Sequence, residues 1–417
     1  MKKQYLFSII LVLVLVLITA CSSSENSSSK SSAGGDTKDA SLDFWVYEPE
    51  SIEGKNKLKD LAKKYEEETG TEIKLTFIPK DDFNTKLNGT IAVGNNPDIS
   101  YLDQPLVPQF AKDGVLLNVD QYVEGENGIN RDDYFDGAFN SVIVDEKLYG
   151  LPLNQSTVVL FYNKDLVEDP PETFEEWIDM AKEVYQKGEI AAFEGIGDGG
   201  YAAWLYPALV HSAGGSMVND DETKATFGEG KALEAAKLLD ELLKYSDQSV
   251  RDTQNAFGNG LIATKISGAW DIDNYKNNFS DLDFGVSLIP YKEGEKSHSN
   301  LGGDDIVIYE NTEYPDASWD FIKYLTNDEN AITMSEITGN FPVNVNAAAD
   351  SRYKEDENLS VFSKQIETAV ARPRITEWLK INDEVVGSSL DKVIISGEDP
   401  VKVMKKAQED ANVIMSK

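Results

Sequence analysis

Cysteine is almost absent from this chain: Cys21 stands alone among 417 residues, and histidine occurs only at 211 and 298. With its one thiol near the terminus, the body has no internal disulfide, so its core must carry its stability. Two distant histidines and no second cysteine give zinc or copper no ligand set, and no metal or other cofactor is expected. Each histidine reads as a surface or internally satisfied residue. Positive charge is scarce too: 39 Lys and Arg stand against 73 Asp and Glu, a formal net charge of -34. No basic cluster offsets this locally, so a phosphate backbone would be repelled and nucleic acid is excluded as a partner. The same sign argues against electrostatic docking on anionic lipid. The apolar run at residues 6–18 is too short for a comfortable membrane span of about 20 residues.

That run is instead the core of a secretory signal over residues 1–20. Met1-Lys2-Lys3 supplies the positive start, and Thr19-Ala20 places small residues directly before Cys21. Ile18-Thr19-Ala20-Cys21 resembles a bacterial lipobox, which implies that Cys21 is lipidated after cleavage. The acyl chain would then hold the protein at the extracellular face of a bacterial cytoplasmic membrane. Residues 22–40 are Ser-rich with no large apolar side chain, so residues 21–40 read as a lipidated cysteine and a flexible tether. What remains is large for one core and implies two lobes.

The first lobe opens with strand periodicity: Leu42, Phe44 and Val46 alternate with Asp43, Trp45 and Tyr47. Leu58, Leu61, Ala62 and Tyr65 share a helical face that Gly70 stops, and residues 73–78 form the next strand. A second helix begins at Asp81, and residues 97–101 read as a third strand. This is an α/β lobe with a mostly parallel sheet. Ligands bind beyond the carboxyl ends of such strands, which singles out Tyr47, Glu48 and Asp103. A carboxylate there can accept from adjacent hydroxyls, or it is simply a solvated loop end.

Further on, Thr173-Phe174-Glu175-Glu176 has capping-box spacing and starts a scaffold helix. Gly195-Ile196-Gly197-Asp198-Gly199-Gly200 matches a dinucleotide-binding pattern, with Asp220 at the ribose-binding offset. It lies mid-chain, ahead of a segment holding Pro207, and reads as loop glycines. Tyr201, Trp204 and Tyr206 follow within six positions. Trp204 is either an accessible flat platform or a core residue. Gly268-Ala269-Trp270-Asp271 places an indole and an acceptor at one strand end. Residues 284–290 form another strand, Pro315 starts a helix, and Asp399-Pro400 opens the last one.

The segment Lys147-Leu148-Tyr149-Gly150-Leu151-Pro152-Leu153, with Phe161-Tyr162-Asn163-Lys164-Asp165-Leu166 and Pro171-Glu172-Thr173-Phe174-Glu175-Glu176-Trp177, resembles the extracellular solute-binding proteins that deliver sugars to ABC transporters. The resemblance covers nearly all of the mature chain. It implies an α/β, two-lobed periplasmic-binding-protein-like (type II) fold with hinged lobes and a helical C-terminal extension. The first lobe would hold residues 41–153 and 304–330, the second residues 154–303 and 331–417. In that family the loop after the first strand and the acid after the third bond sugar hydroxyls, here Tyr47, Glu48 and Asp103. Gly268-Ala269-Trp270 matches the segment that presents an indole to the cleft, and Trp204 matches a stacking position. The segment Leu301-Gly302-Gly303-Asp304-Asp305 matches the second crossing between lobes and adds Gly303 and Asp304, while Gln155 comes from the first crossing. Arg372-Pro373-Arg374-Ile375-Thr376-Glu377-Trp378 matches a segment carrying a further cleft aromatic, Trp378; Arg374 beside it either forks onto hydroxyls or pairs with one of the many acids.

The expected function is capture of a neutral di- or oligosaccharide by lobe closure and delivery to ABC permease subunits, by a monomer without catalytic activity. A lipid-anchored glycoside hydrolase is the alternative; it would need two carboxylates about 5 Å or roughly 6.5–9.5 Å apart.

Overall fold

The computed structural model of the protein describes residues 40–49, 51–125 and 127–416. The leader, Cys21 and residues 22–39 of the tether lie outside them. Among the described residues no helix is long and apolar enough to cross a membrane.

The chain starts as its pattern dictates. Strand β1 (Ser41–Tyr47) sends Leu42, Phe44 and Val46 into one core and Trp45 into another on the opposite face of the sheet. The helix Ile52–Thr69 is capped by the Ser51 hydroxyl, which accepts from the Gly54 N–H at 2.9 Å, and it ends at Gly70 in the left-handed conformation. Leu58, Leu61, Ala62 and Tyr65 are its buried face. Strands β2 (Glu72–Ile78) and β3 (Ile99–Asp103) flank β1 in parallel. A short hairpin of β4 (Ile143–Val144) and β5 (Lys147–Leu148) precedes β6 (Leu151–Pro152).

The first sheet is completed by β13 (Asp304–Ile308), which lies antiparallel to both β3 and β6. The second sheet holds β8 (Val159–Asn163), β9 (Ala191–Phe193), β10 (Ile262–Ser267) and β11 (Phe284–Ser287) in the order β11-β8-β10-β9. Here β8 is antiparallel to both β10 and β11, and only β10 and β9 run parallel. Both sheets are therefore mixed rather than mostly parallel. The reason is that β8 and β13 are the strands on which the chain arrives from the other sheet, and they enter against the local direction.

Each sheet is covered on both faces by its own clusters of buried apolar side chains. The capping box at Thr173 and Glu176 forms as its spacing indicated, and Trp177, four residues from the cap, is fully buried. Met334, Ile337 and Val343 pack in the same core as β1. This part of the chain thus stays with the first sheet through Ile337 instead of leaving it at residue 330, because the helix Asp328–Thr338 lays an apolar face on it.

Three segments run side by side between the sheets. The first contains β6 and β7 (Asn154–Gln155), the second β12 (Ser299–Leu301) and β13, and the third β14 (Phe341–Pro342), which pairs with β7. Ser156 and Gly302 exchange both backbone hydrogen bonds, at 2.9 and 2.8 Å. One buried side chain ties all three segments: Asn154 Nδ2 donates to Asp304 Oδ2 at 3.1 Å, while its Oδ1 accepts from the Asp304 N–H at 3.2 Å and from Asn340 Nδ2 at 3.0 Å.

Candidate functional site

Beside these crossings the structure assembles a row of aromatic rings. Tyr201 and Trp204 lie one turn apart on the helix Gly199–Ser212, and their rings stack with centroids 6.1 Å apart. Pro207 sits within this helix, so the glycine run before it leads into a regular helix after all. Trp270 opens the helix Trp270–Asn278 directly after β10, and its indole lies 5.7 Å from that of Trp204. Trp270 folds back over its own strand end: a Cβ on Gly268 would stand 2.0 Å from the indole Cζ3. Trp204 and Trp270 are half-buried, and Tyr201 is 45% exposed. Large amphipathic rings left partly open at a strand end are the unusual feature here, since the bulk of the aromatic side chains are sealed in the cores.

The row abuts a polar half. A Cβ on Gly302 would lie 3.2 Å from the Trp204 ring, and the next residue, Gly303, has φ +144° and lies so close to Asn154 O that a Cβ would come within 2.2 Å. Arg372, one residue after β15 (Ala369–Ala371), reaches Gly303 O at 3.3 Å and forks onto Asp103 at the end of β3. Gln104 Nε2 and Arg372 Nε are buried there with no protein partner among the described residues. Tyr47 ends β1 in the same neighbourhood; burial, and then the charges of Asp304 and Asp103, push its hydroxyl pKa well up. Burial also raises the Asp304 carboxyl, with the Asp103 charge adding to the shift and Lys80 opposing it.

Of the residues singled out from sequence, Trp204, Trp270, Asp103, Tyr47 and Gly303 come together around the crossings. Asp271 lies beside them but is engaged by Lys265 and by the Ser267 hydroxyl, which donates to it at 2.7 Å. Asp304 and Gln155 are buried in the crossing itself, Asp304 bonded to Asn154 and Gln155 donating to Pro342 O at 2.9 Å, so both serve the hinge rather than an open face. Glu48 points to the surface and pairs with Lys55 at 2.6 Å. Trp378 is 1% exposed in the core of the second lobe, so its indole offers no platform. Arg374 is exposed, and its backbone N–H, not its side chain, meets the Glu222 carboxylate. The arginine of this segment that enters the site is Arg372, which sequence reading passed over although it lies two residues away.

Residues 60–361 match the family described as bacterial extracellular solute-binding protein. The chain belongs to that family. This solute-binding protein is 26% identical over 406 residues to a galactooligosaccharide-binding protein of Bacillus subtilis (strain 168), covering 91% of this chain and 90% of that one. It is also 26% identical over 374 residues to a maltooligosaccharide ABC transporter solute-binding lipoprotein of Streptococcus pneumoniae serotype 4, covering 86% and 84%. A solute-binding protein of Thermotoga lettingae, solved with alpha-D-tagatose bound, superposes with a TM-score of 0.78 at 24% identity, covering 90% of this chain and 100% of that one. The two-lobed α/β fold of this solute-binding protein is thus the one its sequence implied.

Proposed function

We propose that this solute-binding protein closes its two lobes on a neutral di- or oligosaccharide and hands it unaltered to the permease subunits of an ABC importer. The row Tyr201, Trp204 and Trp270 beside the polar strand ends of the first lobe carries this reading. Sugar rings stack their C–H faces on such plates, and their hydroxyls need charged and amide partners close by. The names of the relatives, a galactooligosaccharide-binding protein and a maltooligosaccharide-binding lipoprotein, support a carbohydrate and leave its linkage open. The lipoprotein relative also supports anchoring through Cys21 at the extracellular face of the membrane; in this reading the protein acts as a monomer.

Thermal unfolding in the presence of maltotriose, galactobiose and alpha-D-tagatose tests the reading. A true ligand well above its dissociation constant adds about 2–4 kcal/mol to the stability of the folded state. No shift with any neutral saccharide in a broader panel would overturn it. Cleavage products after overnight incubation would instead favour a hydrolase.

A further inference from the structure

Next to the aromatic row the second lobe holds a partly buried ionic cluster. Lys265 lies on β10 in the middle of the second sheet, with its side chain 18% exposed. Its ammonium group contacts Glu194 Oε2 and Asp271 Oδ2, both at 3.2 Å, and donates to the Tyr275 hydroxyl at 3.0 Å. Burial works against this charge, but the two carboxylates outweigh it and the lysine stays protonated. Glu194 and Asp271 come from different segments, one after β9 and one after β10, and the shared lysine bridges their two like charges. The contacts fall on Glu194 Oε2 and Asp271 Oδ2, and among the described residues the second oxygen of each carboxylate accepts no protein hydrogen bond. Asp271 directly follows Trp270. The cluster therefore adjoins Trp270, with one acceptor oxygen left over on each carboxylate.

We infer that Glu194 and Asp271 are specificity residues of the sugar site, accepting from two neighbouring hydroxyls of a stacked pyranose, and that Lys265 is the positioning residue that sets their separation. This rests on the saccharide reading above. A fixed pair of acceptors selects a ring with an unsubstituted diol on that edge. It also rejects a carboxylate or phosphate there, because the lysine is already matched by two negative charges.

The full-length protein and its variants are titrated calorimetrically with maltotriose and galactobiose, using whichever the parent binds. Glu194→Gln and Asp271→Asn should each weaken binding about tenfold to a hundredfold, the scale of one hydrogen bond to a charged group. Lys265→Met should weaken it at least as much, and Lys265→Arg should restore most of the loss, which a merely structural lysine would not require. Unchanged affinity in Glu194→Gln and Asp271→Asn, with Lys265→Met merely lowering the unfolding temperature, would overturn the inference and leave the saccharide reading standing. If the parent binds no neutral sugar at all, the saccharide reading falls first and the inference with it.

Discussion

Arg372 and Asp103 form a two-pronged ion pair, Nη2 to Oδ1 at 2.6 Å and Nη1 to Oδ2 at 3.2 Å, between a residue that follows β15 and the end of β3. The pair is partly buried, with side chains 13% and 33% exposed, and breaking it strands one charge. Arg372→Ala should lower stability by about 1–3 kcal/mol, read from urea unfolding, and the double variant with Asp103→Ala should lose less than the sum of the two single changes. Additive losses would show that the two side chains do not interact in solution.

Gly268 is where the indole of Trp270 folds back, and a methyl group there would occupy the ring's own place. Gly268→Ala should therefore displace the indole and cost sugar affinity much as Trp270→Ala does, by about tenfold or more. Circular dichroism of the folded protein should be unchanged in both variants. Full affinity in Gly268→Ala would place the ligand away from this ring.

Trp378 makes the opposite case. It is sealed in the second-lobe core, so Trp378→Ala should destabilise by about 3–5 kcal/mol, the scale of a large-to-small core change. Trp378→Phe should recover most of that stability. Any folded Trp378→Phe protein should bind sugar as the parent does in calorimetry, and a large specific loss of affinity would return Trp378 to the site.

His211 gives a pH signature. Its ring Nδ1 faces Gly215 O at 3.3 Å, and burial, aided slightly by the charge of His298, holds its pKa down at about 4. The unfolded chain takes up a proton near pH 6.5 while the folded one resists until about pH 4, so stability is lost as pH falls through that window. The loss reaches on the order of 3 kcal/mol. His211→Gln should remove this contribution, so the difference in denaturation midpoint between parent and variant should change sharply between pH 7 and pH 4. A constant difference would mean that the ring is freely protonated.

Much of the scaffold could be read from local pattern. The period-two run at residues 42–47, the stop at Gly70 and the capping box at Thr173 are each decided by neighbours within one or two turns, and each forms as read. The extent of the first lobe could not, because Met334 and Ile337 would suit either core and only contact with the first sheet chooses between them. The same holds for the strand directions. A run such as residues 159–163 looks alike in a parallel and an antiparallel setting when both of its faces are buried.

By itself the sequence determined the fold class, the lack of a second cysteine for any internal disulfide, and the presence of an indole at the strand end formed by Gly268-Ala269-Trp270. Those follow from composition and from interactions among residues close along the chain. Only the tertiary structure decided that Arg372 and not Arg374 enters the site, that Trp378 is core while Trp204 is open, and that Asp271 shares a lysine with Glu194. Each of these depends on a partner brought from far along the chain, 269 residues in the case of Arg372 and Asp103. Which way a side chain points is set by that partner, and no local spacing encodes it.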